Sequence, residues 1–138
     1  MRDTNDKILA IIYSDRGKFL LLKTNPKTMK IKEWYVVTGS VKEKEDFENA
    51  VKREVEEETK LEILEIKPTK IIYNYEWPRD SGTIKHERVF LVKVKQGDPK
   101  ITKWEHTDWK WLNKIDFIKE IYWFGESKNK LRNLIKTI

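Results

Sequence analysis

Apolar residues fall along this chain in short runs that read first as strands. Lys7 to Tyr13 (KILAIIY) and Lys18 to Lys23 (KFLLLK) have strand length, and Ser14-Asp15-Arg16-Gly17 between them supplies turn residues, so the segment predicts a hairpin. Thr24 to Glu33 contains Asn25-Pro26 and reads as a loop. Trp34-Tyr35-Val36-Val37-Thr38 is aromatic and β-branched and predicts a strand ending at Gly39. The period then changes: Phe47, Ala50, Val51 and Val55 form one narrow stripe between Asp46 and Glu58, which predicts a helix whose other faces are charged. Leu61 to Tyr75 alternates as one or two strands interrupted at Pro68, Trp77 to Gly82 is turn-rich, and Lys85 to Lys95 alternates from Val89 on. Gly97-Asp98-Pro99 breaks the chain. Trp109 to Leu112 predicts a last short strand, with Ile115 to Trp123 and Ser127 to Ile138 as one or two closing helices. This order predicts an α+β fold, an α/β/α sandwich with a mixed sheet in the middle. No repeat, linker or low-complexity stretch interrupts it, so residues 1–138 are expected to form a single domain.

Composition narrows the class. Hydrophobic and charged residues each make up 38%, a balance that excludes a disordered or collagenous chain. Cysteine is absent, which removes disulfides, thiolate ligands and a cysteine nucleophile, and fits a reducing cytosol. No apolar run approaches the roughly 18 residues of a membrane span, and Met1 to Asp6 lacks a signal-peptide core. The expectation is a soluble, cytoplasmic protein with no membrane partner.

The net charge of +6 is unevenly spread. Lys42 to Glu62 holds five basic and nine acidic residues, a net of −4, which leaves +10 for the remainder. Residues three and four apart share a helix face, so Glu54, Glu57 and Glu58 converge and repel, at roughly 0.2–0.5 kcal/mol per pair in an isolated helix. Such stacking suits either a solvated face interleaved with Lys or a hard cation. Carboxylate oxygens are what Mg²⁺ or Mn²⁺ selects, commonly together with substrate phosphates.

Gly39, five residues, Glu45, seven residues, then Arg53-Glu54-Val55-Glu56-Glu57-Glu58-Thr59-Lys60-Leu61 resembles the Nudix box, in eight of its nine specified positions. The departure is Lys60, where the family has glycine. That glycine belongs to the turn after the helix, and a Lys there adopts the left-handed region at a cost of roughly 1 kcal/mol. No candidate ligand is lost, so a reshaped turn is expected rather than an inactive enzyme. The resemblance implies a strand–loop–helix–loop unit within the sandwich, and Mg²⁺-dependent (or Mn²⁺-dependent) hydrolysis of a nucleoside diphosphate linked to another group. It implies that Glu54, Glu57 and Glu58 bind metal. Glu54 and Glu57 are candidates for the catalytic work, Glu54 by orienting or deprotonating the attacking water. Gly39, Glu45 and Arg53 are implied to shape and brace the unit.

The box covers about a sixth of the chain, so specificity lies elsewhere. Trp34-Tyr35-Val36-Val37-Thr38-Gly39-Ser40-Val41 is similar to the Trp…Val-Thr-Gly-Ser-Val lead-in of the bacterial dihydroneopterin triphosphate pyrophosphatases, also described as dATP pyrophosphohydrolases. Glu105-His106 followed by Trp109-Lys110-Trp111-Leu112 is similar to that group's Glu-His…Tyr-Lys-Trp-Leu, and Ser127-Lys128-Asn129-Lys130 to its Ser-Asn-Arg stretch. By this likeness Glu105 is a further metal ligand or base, and Lys23 and Thr38 are candidate substrate contacts. His86 and His106 lack partners at metal spacing and read as surface or hydrogen-bonded residues. Trp34, Tyr73, Tyr75 and Trp77 read as core residues with the alternative of stacking on a substrate ring. The expected partner is a small phosphorylated molecule. Nucleic acid is disfavoured, and a homodimer is compatible with a family in which many members dimerise. The alternatives are hydrolysis of diadenosine tetraphosphate, against which the missing Pro-Lys-Gly before the box argues, and a non-catalytic Nudix module that binds nucleotides or RNA.

Overall fold

The computed structural model describes residues 3–27, 33–102, 104–123 and 128–138. In chain order the elements are β1 (Asp3–Ser14), β2 (Phe19–Thr24), β3 (Trp34–Tyr35), β4 (Val37–Lys42), α1 (Phe47–Thr59), β5 (Ile63–Glu76), β6 (Ile84–Val94), β7 (His106–Leu112), α2 (Lys114–Glu120) and α3 (Lys128–Ile135). Ser127, expected at the start of the last helix, lies outside the described residues, as do 28–32 of the expected Thr24–Glu33 loop.

The sheet is mixed, and β1 is its centre. β1 runs parallel to β6 from Asp6↔His86 to Ser14↔Val94, and antiparallel to β4 on its other edge. Ile8 to Tyr13 are all buried because both faces of β1 are covered. Ile8, Ala10 and Ile12 meet Val51 and Val55 of α1 on one face. Leu9, Ile11 and Tyr13 meet Phe117 of α2 and Leu131 and Ile135 of α3 on the other. This is the α/β/α sandwich that the element order predicts.

Four expectations are modified. β1 and β2 are antiparallel but register only at Tyr13↔Phe19, since β4 takes the rest of that β1 edge and β3 and β7 pair with β2. The strand expected to end at Gly39 instead breaks at Val36 and resumes as β4, so Gly39 lies inside a strand opposite Ile8. The chain thereby passes from the edge of β2 to the edge of β1, leaving a fork. β5 runs unbroken past Pro68, with a register shift between Pro68 and Ile72, which an outer strand tolerates because the missing N–H faces no further strand. Finally, α2 stops at Glu120, three residues short of the expected Trp123.

α1 is capped at both ends. The Asp46 side chain accepts from Asn49 N at 2.7 Å, and Lys60 closes the helix at φ 60°, ψ 17°, its N–H bonded to Glu56 O. The left-handed turn expected of Lys60 is present.

Candidate active site

A cavity of about 260 Å³ opens at the fork between β2 and β4. Its walls come from β1 (Lys7), the end of β2 (Thr24), the β3–β4 crossing (Tyr35, Val36, Thr38, Gly39, Ser40), α1 (Glu54, Glu58) and the start of β7 (Glu105, His106). The placement follows from the strand pattern. Val37 and Val41 face the α1 side, so Gly39 does too, while Thr38 and Ser40 face the α2/α3 side.

α1 is anchored to β4 by one arginine. Arg53 donates from Nε to Glu45 Oε2 at 2.9 Å, from Nη2 to Glu45 Oε1 at 3.0 Å and to the Ser40 carbonyl at 2.8 Å. From Nη1 it donates to Glu54 Oε1 at 2.6 Å. Glu45 Oε1 also accepts from Lys42 N, so Glu45 ties both ends of the loop ahead of the helix. The Arg53 hydrogen bond holds the Glu45 carboxyl below the usual range, and Glu45 in turn pushes the guanidinium up. Glu45 and Arg53, which the resemblance pairs, are thus hydrogen-bonded to each other. Glu54 is oriented from two sides, by Arg53 and by Gly39. A Cβ on residue 39 would stand 2.6 Å from Glu54 Cγ and closer still to Cδ, so glycine is needed for close approach and not for φ.

Glu58, Glu105 and His106 each offer a ligand atom, and these atoms lie within 4.8 Å of one another. Glu58 is 4% exposed and His106 2%. Among the described residues, Glu58 Oε2 and His106 Nδ1 are buried without a hydrogen-bond partner, and Nδ1 stands 3.8 Å from Glu58 Oε1, beyond bonding distance. Burial, then the neighbouring Glu105 and Glu54 carboxyls, push Glu58 far above its ordinary pKa; burial also raises Glu54 and lowers His106. Buried acceptors that repel one another and lack donors fit a hard divalent cation, whose charge reverses this balance. The loop carrying Glu105 is held by Asn25, which donates from its backbone N to Glu105 O at 2.8 Å and from Nδ2 to Trp104 O at 3.1 Å.

The structure therefore brings together Glu54, Glu58, Glu105, Thr38 and Gly39 at one cavity. Two expected residues are not on its wall. Glu57 has a side chain 55% exposed, 3.6 Å from Arg53 Nη1. Lys23 is exposed and 5.9 Å from the Trp34 ring, which Lys110 also approaches at 4.0 Å. His106, read as surface or hydrogen-bonded, is neither at Nδ1, whereas His86 is exposed with Nδ1 2.6 Å from Asn74 Oδ1. Lys7, Tyr35 and Ser40 were not singled out by sequence. Lys7 merely precedes an apolar run, and nothing local marks it as facing a cavity.

A family model described as NUDIX domain matches residues 3–133. The chain belongs to the Nudix hydrolase family. Its fold is similar to that of the E. coli dihydroneopterin triphosphate pyrophosphohydrolase, with a TM-score of 0.75 and 21% identity over 100% of this chain and 99% of that one. It is similar also to a C. elegans Ap4A hydrolase (TM-score 0.67, 22% identity, 96% of this chain and 99% of that one). A third is the Nudix domain of Shewanella oneidensis NrtR complexed with ADP ribose (TM-score 0.71, 17% identity, 99% and 88%). No curated protein sequence matches. Within this Nudix chain, the described residues contain no helix long and apolar enough to cross a membrane.

Proposed function

We propose that this Nudix protein is a cytoplasmic pyrophosphohydrolase that cleaves a nucleoside triphosphate-like substrate, dATP or dihydroneopterin triphosphate, to a monophosphate and pyrophosphate. The observation that carries the reading is the convergence of Glu54, Glu58 and Glu105 on one cavity, with buried acceptor atoms that have no donor among the described residues. Glu54, Glu58 and Glu105 would hold Mg²⁺ or Mn²⁺, with Glu57 at the exposed margin of the same helix. When bound there, the cation would supply positive charge against the phosphoryl oxygens and make the attacking water easier to deprotonate.

The chain's own residues do the rest. Water attacks a phosphorus, the new P–O bond forms as the bond to the departing pyrophosphate breaks, and the water's proton passes to a carboxylate, Glu54 or Glu105. Arg53 keeps Glu54 aimed at the cavity. Lys7 contributes a positive charge at the wall, and Thr38 and Ser40 contribute hydroxyls on the same strand. Preorganised charge of this kind supplies most of the barrier reduction in phosphoryl transfer.

The test is product analysis. Incubation with Mg²⁺ and a panel of dNTPs, dihydroneopterin triphosphate, diadenosine tetraphosphate and ADP-ribose should release pyrophosphate from a triphosphate in preference to phosphate. Release of ATP from diadenosine tetraphosphate alone would replace this reading with the dinucleotide one. Metal-independent RNA binding without turnover would replace it with the binding module.

A further inference from the structure

The carboxylates on the cavity wall have a neighbour to which the proposed hydrolysis gives no part. His106 opens β7 and lines the cavity of about 260 Å³ together with Glu58 and Glu105. It is 2% exposed, and among the described residues its Nδ1 has no hydrogen-bond partner. A polar ring atom buried in this way costs free energy unless a further group completes it. The main chain around it is tied down. Lys100 N donates to Thr59 O at 2.8 Å and Thr102 Oγ1 to Glu57 O at 3.2 Å, which fastens the end of α1 to the segment leading into β7. His106 N donates to Thr102 O at 2.9 Å, and Asn25 N to Glu105 O at 2.8 Å. Glu58 and His106 are therefore held face to face by main-chain bonds and not by a bond between their side chains. Their spacing is that of two ligands sharing an ion. Donor atoms bound to one small divalent cation at about 2.1 Å each are about 3.0 Å apart at a right angle and about 4.2 Å apart when opposed. The 3.8 Å between His106 Nδ1 and Glu58 Oε1 falls inside that interval. Glu105, half-buried, offers a third atom within 4.8 Å of the others, near enough for a side-chain rotation to complete the set.

We propose that His106 is a nitrogen ligand of the metal held by Glu58 and Glu105, and that this mixed nitrogen and oxygen site selects a divalent transition-metal ion over Mg²⁺. A neutral imidazole with its proton on Nε2 presents Nδ1 as a lone-pair donor. Mg²⁺ takes oxygen ligands and gives up its waters reluctantly, whereas imidazole suits ions later in the first transition row. Carboxylates alone leave that choice open, so the ring is what decides it. The proposal rests on the reading of Glu58 and Glu105 as metal ligands and narrows it, with Co²⁺ held more tightly than Mn²⁺ and both more tightly than Mg²⁺. His106 contacts the metal here and need not touch the substrate.

The chain has two histidines, so a spectroscopic test can tell them apart. The untagged, metal-free chain is loaded with one equivalent of Mn²⁺ and its pulsed electron paramagnetic resonance spectrum is recorded. Wild type should show the nitrogen modulation of a coordinated imidazole, and His106→Gln should lose it. His86→Gln should keep it, because His86 is exposed and bonded to Asn74. Where His106→Gln folds poorly, wild type and His86→Gln assign the signal between them. Competition calorimetry adds a second readout. Wild type should bind Co²⁺ at least about tenfold more tightly than Mg²⁺, and His106→Gln should lose at least about tenfold in Co²⁺ affinity while Mg²⁺ affinity stays within about threefold. A purely structural role for the ring would weaken both ions alike and give no nitrogen signal. Absence of the signal in wild type, its loss in His86→Gln, its survival in a folded His106→Gln, or equal losses for Co²⁺ and Mg²⁺ overturns the proposal. Pyrophosphate release from a triphosphate without any nitrogen signal overturns it and leaves the hydrolase reading standing. A nitrogen signal without turnover of any triphosphate supports it and overturns the hydrolase reading instead.

Discussion

The carboxylate of Glu54 lies against the α-carbon of Gly39, in space that any side chain on residue 39 would occupy. A strand residue fifteen positions upstream thus decides where a helix glutamate points. Gly39→Ala should therefore displace Glu54 while leaving both apolar cores untouched. Because a displacement of about 1 Å at a reacting group costs on the order of a hundredfold, turnover should fall by that factor with an unchanged circular dichroism spectrum. Activity within twofold of wild type would show that Glu54 is not positioned through this contact.

Glu58→Gln removes a buried, repelled carboxylate and keeps its shape. Turnover under saturating Mg²⁺ should drop by about three orders of magnitude, while the melting temperature without added metal stays level or rises, because burial already disfavours a charged carboxyl there and, among the described residues, Glu58 Oε2 has no hydrogen-bond partner to lose. Near wild-type kcat in this variant would remove Glu58 from the catalytic set.

Lys60 occupies the left-handed region at φ 60° after α1 and is exposed. Lys60→Gly restores the residue type this conformation favours. The expected gain is about 1 kcal/mol, read as a higher urea midpoint with the same slope, and catalysis should not change, since Lys60 is away from the cavity wall.

Burial pushes the Glu87 carboxyl up from 4.5 to about 7, against the opposing effects of Lys7 and the Tyr75 hydroxyl. Below the ordinary carboxylate pKa both folded and unfolded chains hold this proton, so no penalty arises. As pH rises from there to about 7, the unfolded chain releases it first, and the folded state loses stability. At about 1.4 kcal/mol per unit, the loss amounts to about 2–3 kcal/mol. Glu87→Gln lacks this titration. Its stability relative to wild type should therefore rise by about that amount between pH 5 and pH 8 in urea unfolding series. A constant difference across that range would mean that Glu87 ionises normally.

What was legible locally and what was not divide along contact range. α1, its Asp46 cap, its apolar stripe and its acidic face depend on neighbours three or four residues apart, and their spacing alone places Glu54 and Glu58 on one side of a helix. The strands likewise follow from apolar runs such as Lys7 to Tyr13, although their order in the sheet does not. The cavity is different. Glu105 reaches Glu58 across 47 positions, held by Asn25 from a third segment, and Lys7 reaches the site because β4 pairs with β1 and not with β2. Periodicity carries no signal for such meetings. It also left Glu57 and Glu58 equivalent, although one step along the helix turns Glu58 inward against β7 and leaves Glu57 beside Arg53 in solvent. The residue types and their order along α1 were enough to name the chemistry. Which of those carboxylates faces a substrate, and that His106 of β7 stands beside one of them, was decided by the pairing of distant strands, because only the closed sheet determines which side of each strand is buried.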